Sequence, residues 1–316
     1  MPRPDFPKNI REFQALFTDE ESCAEYLFES RWPEGFQCPK CGHGEYYEVE
    51  DYDRFECANC GHQTSLTAGT VMHKTRLPLS TWFYGAFLMT TLKPGISALQ
   101  FQGQLGLHNY ETAYQMLQKL RAGLVNPERS KLFGEVQVDE TYVGGPEAGR
   151  HGRGARGKAI VAGAVEVRGR ASGRLRLRVI PDVTAKTLGK FISDNIEEDS
   201  TVITDAMPSY SILSKMGYSH IVRVERDPER GHKILPQIHR AFGNLKAELV
   251  GTYHGVDPKH LQAYLNEFVF RFNRRITPMA AFQTALGIGS HIQAPTYEDI
   301  YTAGEPGAWT HVGRPK

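Results

Sequence analysis

Long apolar runs are missing from this sequence: nothing in it approaches the ~18–20 residues that a membrane span requires. The opening stretch MPRPDFPKNIREF has no apolar h-region, so a secretory signal is not expected and a cytoplasmic address is. Cysteine is scarce, five in 316 residues, too few for a secreted disulfide scaffold. In a reducing compartment paired cysteines read as metal ligands before disulfides. Net charge is almost absent, 37 Lys+Arg against 36 Asp+Glu. Internal repeats and low-complexity tracts are also lacking, which excludes a solenoid or a disordered tail protein. What is present, 40% hydrophobic residues over this length, suffices for two or three domains with at least one full core.

The balanced charge hides a partition. Residues 1–60 hold six Lys/Arg and fourteen Asp/Glu, leaving thirty-one and twenty-two for the remainder. From Arg150 to Arg178 there are nine basic residues and one acid, Glu166. Such blocks are often solvated faces, and they are also the electrostatic footprint of a phosphate-rich partner.

Periodicity places the elements. Thr18-Asp19-Glu20-Glu21 has the capping-box form and predicts a helix to about Arg31. Ser80 is placed as the cap of an apolar helix, Trp82 to Leu92, that Pro94-Gly95 ends. Helices at 96–104 and 109–124, with Gly106 between them, form a helix-turn-helix-like pair. In the second, Ala113, Met116, Leu117, Leu120 and Leu124 share one face, leaving Tyr110, Gln115, Gln118, Lys119 and Arg121 outside it. From Glu135 the period becomes two. Strands are predicted at 135–138, 159–167, 174–180 and 201–204, with helices at 184–197, 235–249 and 258–275. The order suits an α/β fold of ribonuclease H type.

The sharpest motif is Cys38-x2-Cys41-x15-Cys57-x2-Cys60. Each Cys-x2-Cys turn presents two thiolates from one tight loop, and two such knuckles complete a tetrahedron around Zn2+. Four thiolates leave no open coordination position, so one structural zinc is expected. The ribbon lies in the acidic part of the chain, and a four-thiolate zinc site adds about −2. It reads as a scaffold or docking element before a DNA contact. Cys23 falls outside the pattern, as a small core residue.

Asp139 ends one predicted strand and Asp205 another. Acids at the ends of neighbouring strands share a crevice suited to Mg2+ or Mn2+, which take carboxylates, water and phosphate oxygens. Taken alone, the two read more readily as turn or N-cap aspartates, which any α/β protein has in number. On the helix at 235–249, His239 and Lys246 are seven residues apart and return to one face, whereas Glu248 lies about 180° from His239.

Five stretches occur in order over roughly residues 20–280: CPKC…CANCGHQTSLTAGT, SALQFQGQLGLHNYETAYQMLQKLR, VDETYVGG, VITDAMPSY, and IHRAFGNLKAELVGTYHGV…KHLQAYLNEFVFRFNRR. In these the chain resembles bacterial insertion-sequence transposases that join an N-terminal zinc ribbon to a DDE-type, ribonuclease H-like catalytic domain. The likeness is to the ISXO-like branch with His at the third catalytic position. The resemblance implies that Asp139 and Asp205 are the first two metal-binding acids, that His239 occupies the third position, and that Lys246 is the basic residue following it. An imidazole brings no negative charge and suits hard Mg2+ less well than a carboxylate, which leaves Mn2+ as the other candidate.

Arg174, Arg176 and Arg178 alternate with Leu175, Leu177 and Val179, placing three guanidiniums on one strand face. His151, Arg153, Arg156 and Lys158 extend that basic surface, as expected phosphate contacts. Reading of element ends is assigned to Tyr110, Thr112, Gln115 and Lys119, and Arg271, Asn273, Arg274 and Arg275 are further candidates. The expected domains are 1–70 (helix and ribbon), 71–130 (helix-turn-helix-like), 131–285 (catalytic) and an irregular tail, 286–316. The function expected is a DNA transposase that cleaves and joins at the inverted repeats of its own element and at target DNA, nucleoid-associated and as a homodimer or larger oligomer on DNA. An inactive, transposase-derived DNA-binding regulator is the rival, and a nuclease for RNA–DNA hybrids a weaker third.

Overall fold

The computed structural model describes residues 6–49, 54–126, 129–144, 158–224 and 234–301. The chain divides into two compact units, one holding 1–126 with 274–303, the other 127–273.

In the first unit, α1 (Ile10–Leu16) and α2 (Glu20–Arg31) precede a three-stranded antiparallel sheet, β1 (Tyr46–Val49), β2 (Arg54–Cys57) and β3 (Gln63–Ser65). Then come α3 (Leu79–Thr91), α4 (Ala98–Leu105) and α5 (Tyr110–Ala122), and later α9 (Pro278–Gly289) and α10 (Tyr297–Tyr301). The cap of α2 is Asp19 paired with Ser22, not Thr18 with Glu21. Helix α3 begins earlier than expected, and its start is held from a distance: Glu20 accepts from the N–H groups of Leu79 and Ser80 at 2.6 and 2.9 Å. Gly106 ends α4 in the left-handed conformation, φ 61°, which makes the tight turn between the helix pair. The buried guanidinium of Arg31 donates to the carbonyls of Ser65 and Ala68 at 2.9 and 2.6 Å, tying α2 to the loop after the ribbon. Rings of Phe13, Phe17, Tyr26, Phe83 and Phe282 pack edge to face in the common core. Ribbon and helix pair therefore share one unit, where separate domains at 1–70 and 71–130 were expected.

The second unit is a five-stranded mixed sheet. Its strands are β4 (Glu135–Val143), β5 (Ala159–Arg168), β6 (Ala171–Ile180), β7 (Thr201–Thr204) and β8 (Ser219–Val222), ordered β6-β5-β4-β7-β8. β4, β5 and β6 run antiparallel in sequence, while β4, β7 and β8 are parallel. This arrangement, with crossover helix α6 (Ala185–Asn195) between β6 and β7, is the ribonuclease H-like core. One face packs on α7 (Pro236–Gly251) and α8 (Leu261–Asn273) through Val165, Leu175, Ile203, Ile238, Phe242 and Leu265. The other packs on α6 and a 3-10 segment, Pro208–Met216, through Val136, Val138, Phe191, Val202 and Tyr210. The catalytic unit ends at Asn273, not at 285. Helix α9 belongs to the first unit, where α3 gives its apolar face a partner. The stretch after Ser290 includes α10, so it is not wholly irregular.

Candidate active site

Strand pairing makes β4 and β7 neighbours. The last register pair between parallel β4 and β7 is Gln137 with Ile203, and Asp139 and Asp205 each lie two residues further on. Two residues is one strand period, so Asp139 falls on the face that carries α7, and Asp205 follows directly on the end of the neighbouring strand. From α7, His239 Nε2 stands 3.0 Å from Asp139 Oδ2. Ligands at 2.0–2.1 Å in adjacent octahedral positions are about 3.0 Å apart, so this pair has the spacing of two ligands on one Mg2+ or Mn2+.

Asp205 is oriented differently. Its Oδ1 accepts from the Met207 N–H at 3.0 Å, the hydrogen bond of an Asx turn. Among the described residues, the four cysteines alone bring three or more His, Cys, Asp or Glu donor atoms within 4.8 Å of one another. The structure thus joins Asp139 to His239, while Asp205, just past the end of β7, does not complete a compact triad with them.

Two features that sequence reading missed explain how α7 reaches this place. Gly163 on β5 is paired opposite Asp139, and a Cβ there would stand 2.7 Å from the Phe242 ring and 2.9 Å from Ile238 Cδ1. Only the bare backbone lets α7 lie this close to the sheet. Gln137, 2% exposed, accepts from the N–H groups of Gln237 and Ile238 at 3.0 and 3.2 Å, in the first turn of α7. On the opposite face, Tyr210 donates to Glu140 Oε2 at 3.0 Å. Burial first, and then the charges of Glu140, Asp139 and Asp205, raise the Tyr210 phenol well above its ordinary value, so it is a neutral donor. The adjacency of Glu140 to Asp139 was a signal available in the sequence; Gly163 and Gln137 offered none without the register.

Lys246 is exposed on α7. Glu248 faces away from His239, as its phase predicted, and it turns into the core: it and Glu267 flank the buried guanidinium of Arg271, and Tyr253 donates to Glu267 at 3.0 Å. Arg271 is therefore a structural cation and not a DNA contact. Asn273 is also committed, bridging the N–H and carbonyl of Leu175 on β6.

The arginine face on β6 needs the same correction. Leu175, Leu177 and Val179 do face the core, but the alternate face is not an open basic surface. Arg174 pairs with Glu166 at 2.6 Å and donates to the Lys131 carbonyl at 2.8 Å. Arg176 is 5% exposed and donates to the Ser130 carbonyl at 2.9 Å. Arg178 pairs with Asp194 at 2.7 Å and is half-exposed. Lys158, at the start of β5, is partly exposed, whereas His151, Arg153 and Arg156 lie outside the described residues.

On α5, the five expected core residues are buried, but so are Gln118 and Arg121, because α3, α4 and α9 cover this helix from several sides. Tyr110 is exposed and stacks on Tyr114, with ring centroids 6.2 Å apart. Gln115 hydrogen-bonds Tyr301 of α10, and Lys119 is half-buried, its ammonium pKa lowered by desolvation. Part of the expected reading face is thus covered from within the unit.

In the ribbon, Cys38 and Cys60 Sγ are 3.7 Å apart, and Cys41 and Cys57 Sγ are 3.6 Å apart. A tetrahedron with Zn–S near 2.3 Å has edges of about 3.8 Å, so the donor set fits zinc. A groove of about 1290 Å3 between α2 and the ribbon carries Glu21, Glu25, Glu29 and Glu48 on its lining, a sign unfavourable to phosphate. Among the described residues no helix is long and apolar enough to cross a membrane.

The class is a DDE-type transposase catalytic domain on a mixed sheet, preceded by a four-cysteine ribbon. Residues 131–273 match the ISXO2-like transposase domain and residues 18–63 the transposase zinc-ribbon domain. An uncharacterized transposase-like protein of Haemophilus influenzae is 30% identical over 97 residues, 30% of this chain and 77% of that one. An uncharacterized protein in transposable element ISH50 of Halobacterium salinarum is 26% identical over 287 residues, 81% of this chain and 91% of that one. The chain belongs to the ISXO2-like transposase family. Among solved structures, the catalytic core domain of BIV integrase covers 48% of this chain and 80% of its own at 18% identity, with a TM-score of 0.27, too distant to carry an argument.

Proposed function

We propose that this chain cuts and rejoins DNA at the ends of an insertion sequence by phosphoryl transfer, and that Asp139, Asp205 and His239 hold the divalent metal. The observation that carries the reading is the 3.0 Å contact between His239 and Asp139 on β4, with Asp205 just past the end of β7, the strand parallel to it. A bound Mg2+ or Mn2+ would supply Lewis-acid stabilisation of the phosphoryl oxygens and an activated hydroxyl. The protein's own share is placement: β4 holds Asp139, the end of β7 holds Asp205, and α7 carries the imidazole to Asp139. Lys246, two turns along α7 from His239, is positioned to steady a phosphate of the bound strand. Water serves as the first nucleophile and the freed 3′-hydroxyl as the second. Zinc in the ribbon is structural.

The DNA surface differs from a simple basic strand face. In the second unit Lys158 and Lys246 are its candidate phosphate contacts; the first unit, taken by itself, offers the exposed Tyr110, with Lys119 and Gln115 partly covered. Arg153 and Arg156 are proposed contacts by their charge alone and lie outside the described residues. Two element ends must meet for strand transfer, so a dimer or larger assembly on DNA follows from the reaction.

The test is a cleavage and joining assay on duplexes bearing the DNA that flanks the gene, with Mg2+ and Mn2+ compared. Asp139→Asn and Asp205→Asn are each expected to lower cleavage by at least 10^3-fold while duplex binding persists, a loss typical of electrostatic groups at phosphoryl-transfer sites. Wild type as inert as Asp139→Asn, with both still binding, would instead make the chain a DNA-binding regulator.

A further inference from the structure

We propose that Gln137 and Gln237 are positioning residues that set where His239 stands against Asp139. The proposal rests on the reading of Asp139 and His239 as metal-holding residues.

The two glutamines are placed in parallel with the pair they serve. Gln137 precedes Asp139 by two residues on β4, hence on the same sheet face, and Gln237 precedes His239 by two on α7. Their side chains meet: Gln137 Nε2 donates to Gln237 Oε1, and Gln237 Nε2 donates to the Gly169 carbonyl at 3.2 Å. Gln137 Oε1 accepts the backbone N–H groups of Gln237 and Ile238 at 3.0 and 3.2 Å. Both side chains are buried, 2% and 6% exposed.

Those contacts account for the start of α7. A helix leaves its first N–H groups without intrahelical partners, and they are ordinarily met by a local cap. Here Leu235 stands at the cap position and offers no side-chain acceptor, Pro236 has no N–H, and the His239 N–H already reaches the Leu235 carbonyl at 3.1 Å. The two remaining donors are met by a strand residue 100 positions away. This helix start is consequently occupied by protein and is not an anion site. It is an anchor whose acceptor and donor geometry fixes both the advance and the rotation of α7 at the residue before His239. A turn of one residue is about 100°, enough to carry the imidazole out of the crevice. An apolar side chain at 137 would leave two buried N–H groups unmet, and α7 would have to shift toward water.

Titration of Mn2+ into the full-length, zinc-loaded chain, read by the loss of the free-ion EPR signal, tests this without reference to turnover. Gln137→Met is expected to weaken Mn2+ binding at least tenfold, and Gln237→Met, which keeps the backbone N–H, about threefold. Asp194→Asn, whose partners Arg178 and Lys190 make no contact with the anchor, is expected to stay within twofold of wild type. The deciding readout is a double-mutant cycle: in a His239→Ala background, Gln137→Met should have no further effect, because its influence runs through the imidazole. Should Gln137→Met not fold, Gln237→Met carries the cycle. A Gln137→Met loss that persists undiminished without His239, or no loss in either background, overturns the positioning role. Unchanged Mn2+ affinity in Asp139→Asn would instead overturn the underlying reading of the site, so the two failures are distinguishable.

Discussion

Glu166 shows how one acid inside a basic stretch redirects the cations around it. It is 2% exposed and accepts from the Arg174 side chain at 2.6 and 2.9 Å and from the Arg174 backbone at 3.0 Å. Burial pushes its carboxyl up, but the Arg174 hydrogen bonds and charge outweigh it and hold the group below the usual carboxylate range. A folded-state value that is depressed stabilises the fold above the unfolded value, and that contribution fades as pH falls below about 4.5. Glu166→Gln should therefore cost about 3 kcal/mol at pH 7, the scale for breaking one side of a buried pair. The difference from wild type should shrink as thermal melts are taken down toward pH 3. By contrast, Arg178→Ala removes a half-exposed pair and should cost no more than about 1 kcal/mol.

At the scale of elements, the site depends on how close α7 lies to the sheet. Gly163→Ala puts a methyl 2.7 Å from the Phe242 ring, so helix or ring must move. Overpacking of this kind costs about 1–3 kcal/mol. Because Phe242 lies one turn beyond His239 on the same helix, the change should also open the His239–Asp139 contact. A melting curve checks the first effect, and the imidazole 15N shifts of His239 check the second. Unchanged shifts alongside a lowered melting temperature would show that the ring alone gives way. A second example is the start of α3: its expected cap, Ser80, lies inside the helix, and Glu20, sixty residues earlier, supplies the acceptors. Caps supplied from elsewhere in the chain, as at α3 and α7, have no local sequence pattern by which they are recognised.

For the whole molecule, zinc and the ribonuclease H-like core sit in different units. Removing zinc should melt the ribbon and the helices packed with it, since structural zinc contributes about 10–16 kcal/mol to small domains of this type. The contiguous stretch 127–273 has its own two-faced core and should keep its fold. Differential scanning calorimetry of the full chain with and without a strong chelator should show one transition lost and one retained. A single transition, shifted as a whole, would mean that the two units fold as one.

Much of this architecture was legible along the chain. Cys-x2-Cys spacing fixes a zinc knuckle through the covalent reach of a tight turn, and it needs nothing distant to be recognised. Period-two runs marked β4, β5, β6 and β7 because alternation is imposed by the pleat of the strand itself. The seven-residue interval placed His239 and Lys246 on one face of α7, and Glu248 away from it, by helical phase alone. Tertiary structure decided everything that depends on which elements become neighbours. The parallel pairing of β4 with β7 made the two strands neighbours, Gly163 and Gln137 set α7 against Asp139, and Glu166 with Ser130 and Lys131 withdrew Arg174 and Arg176 from solvent. Contacts between residues 40 to 100 positions apart arise from packing, and local periodicity carries no information about them.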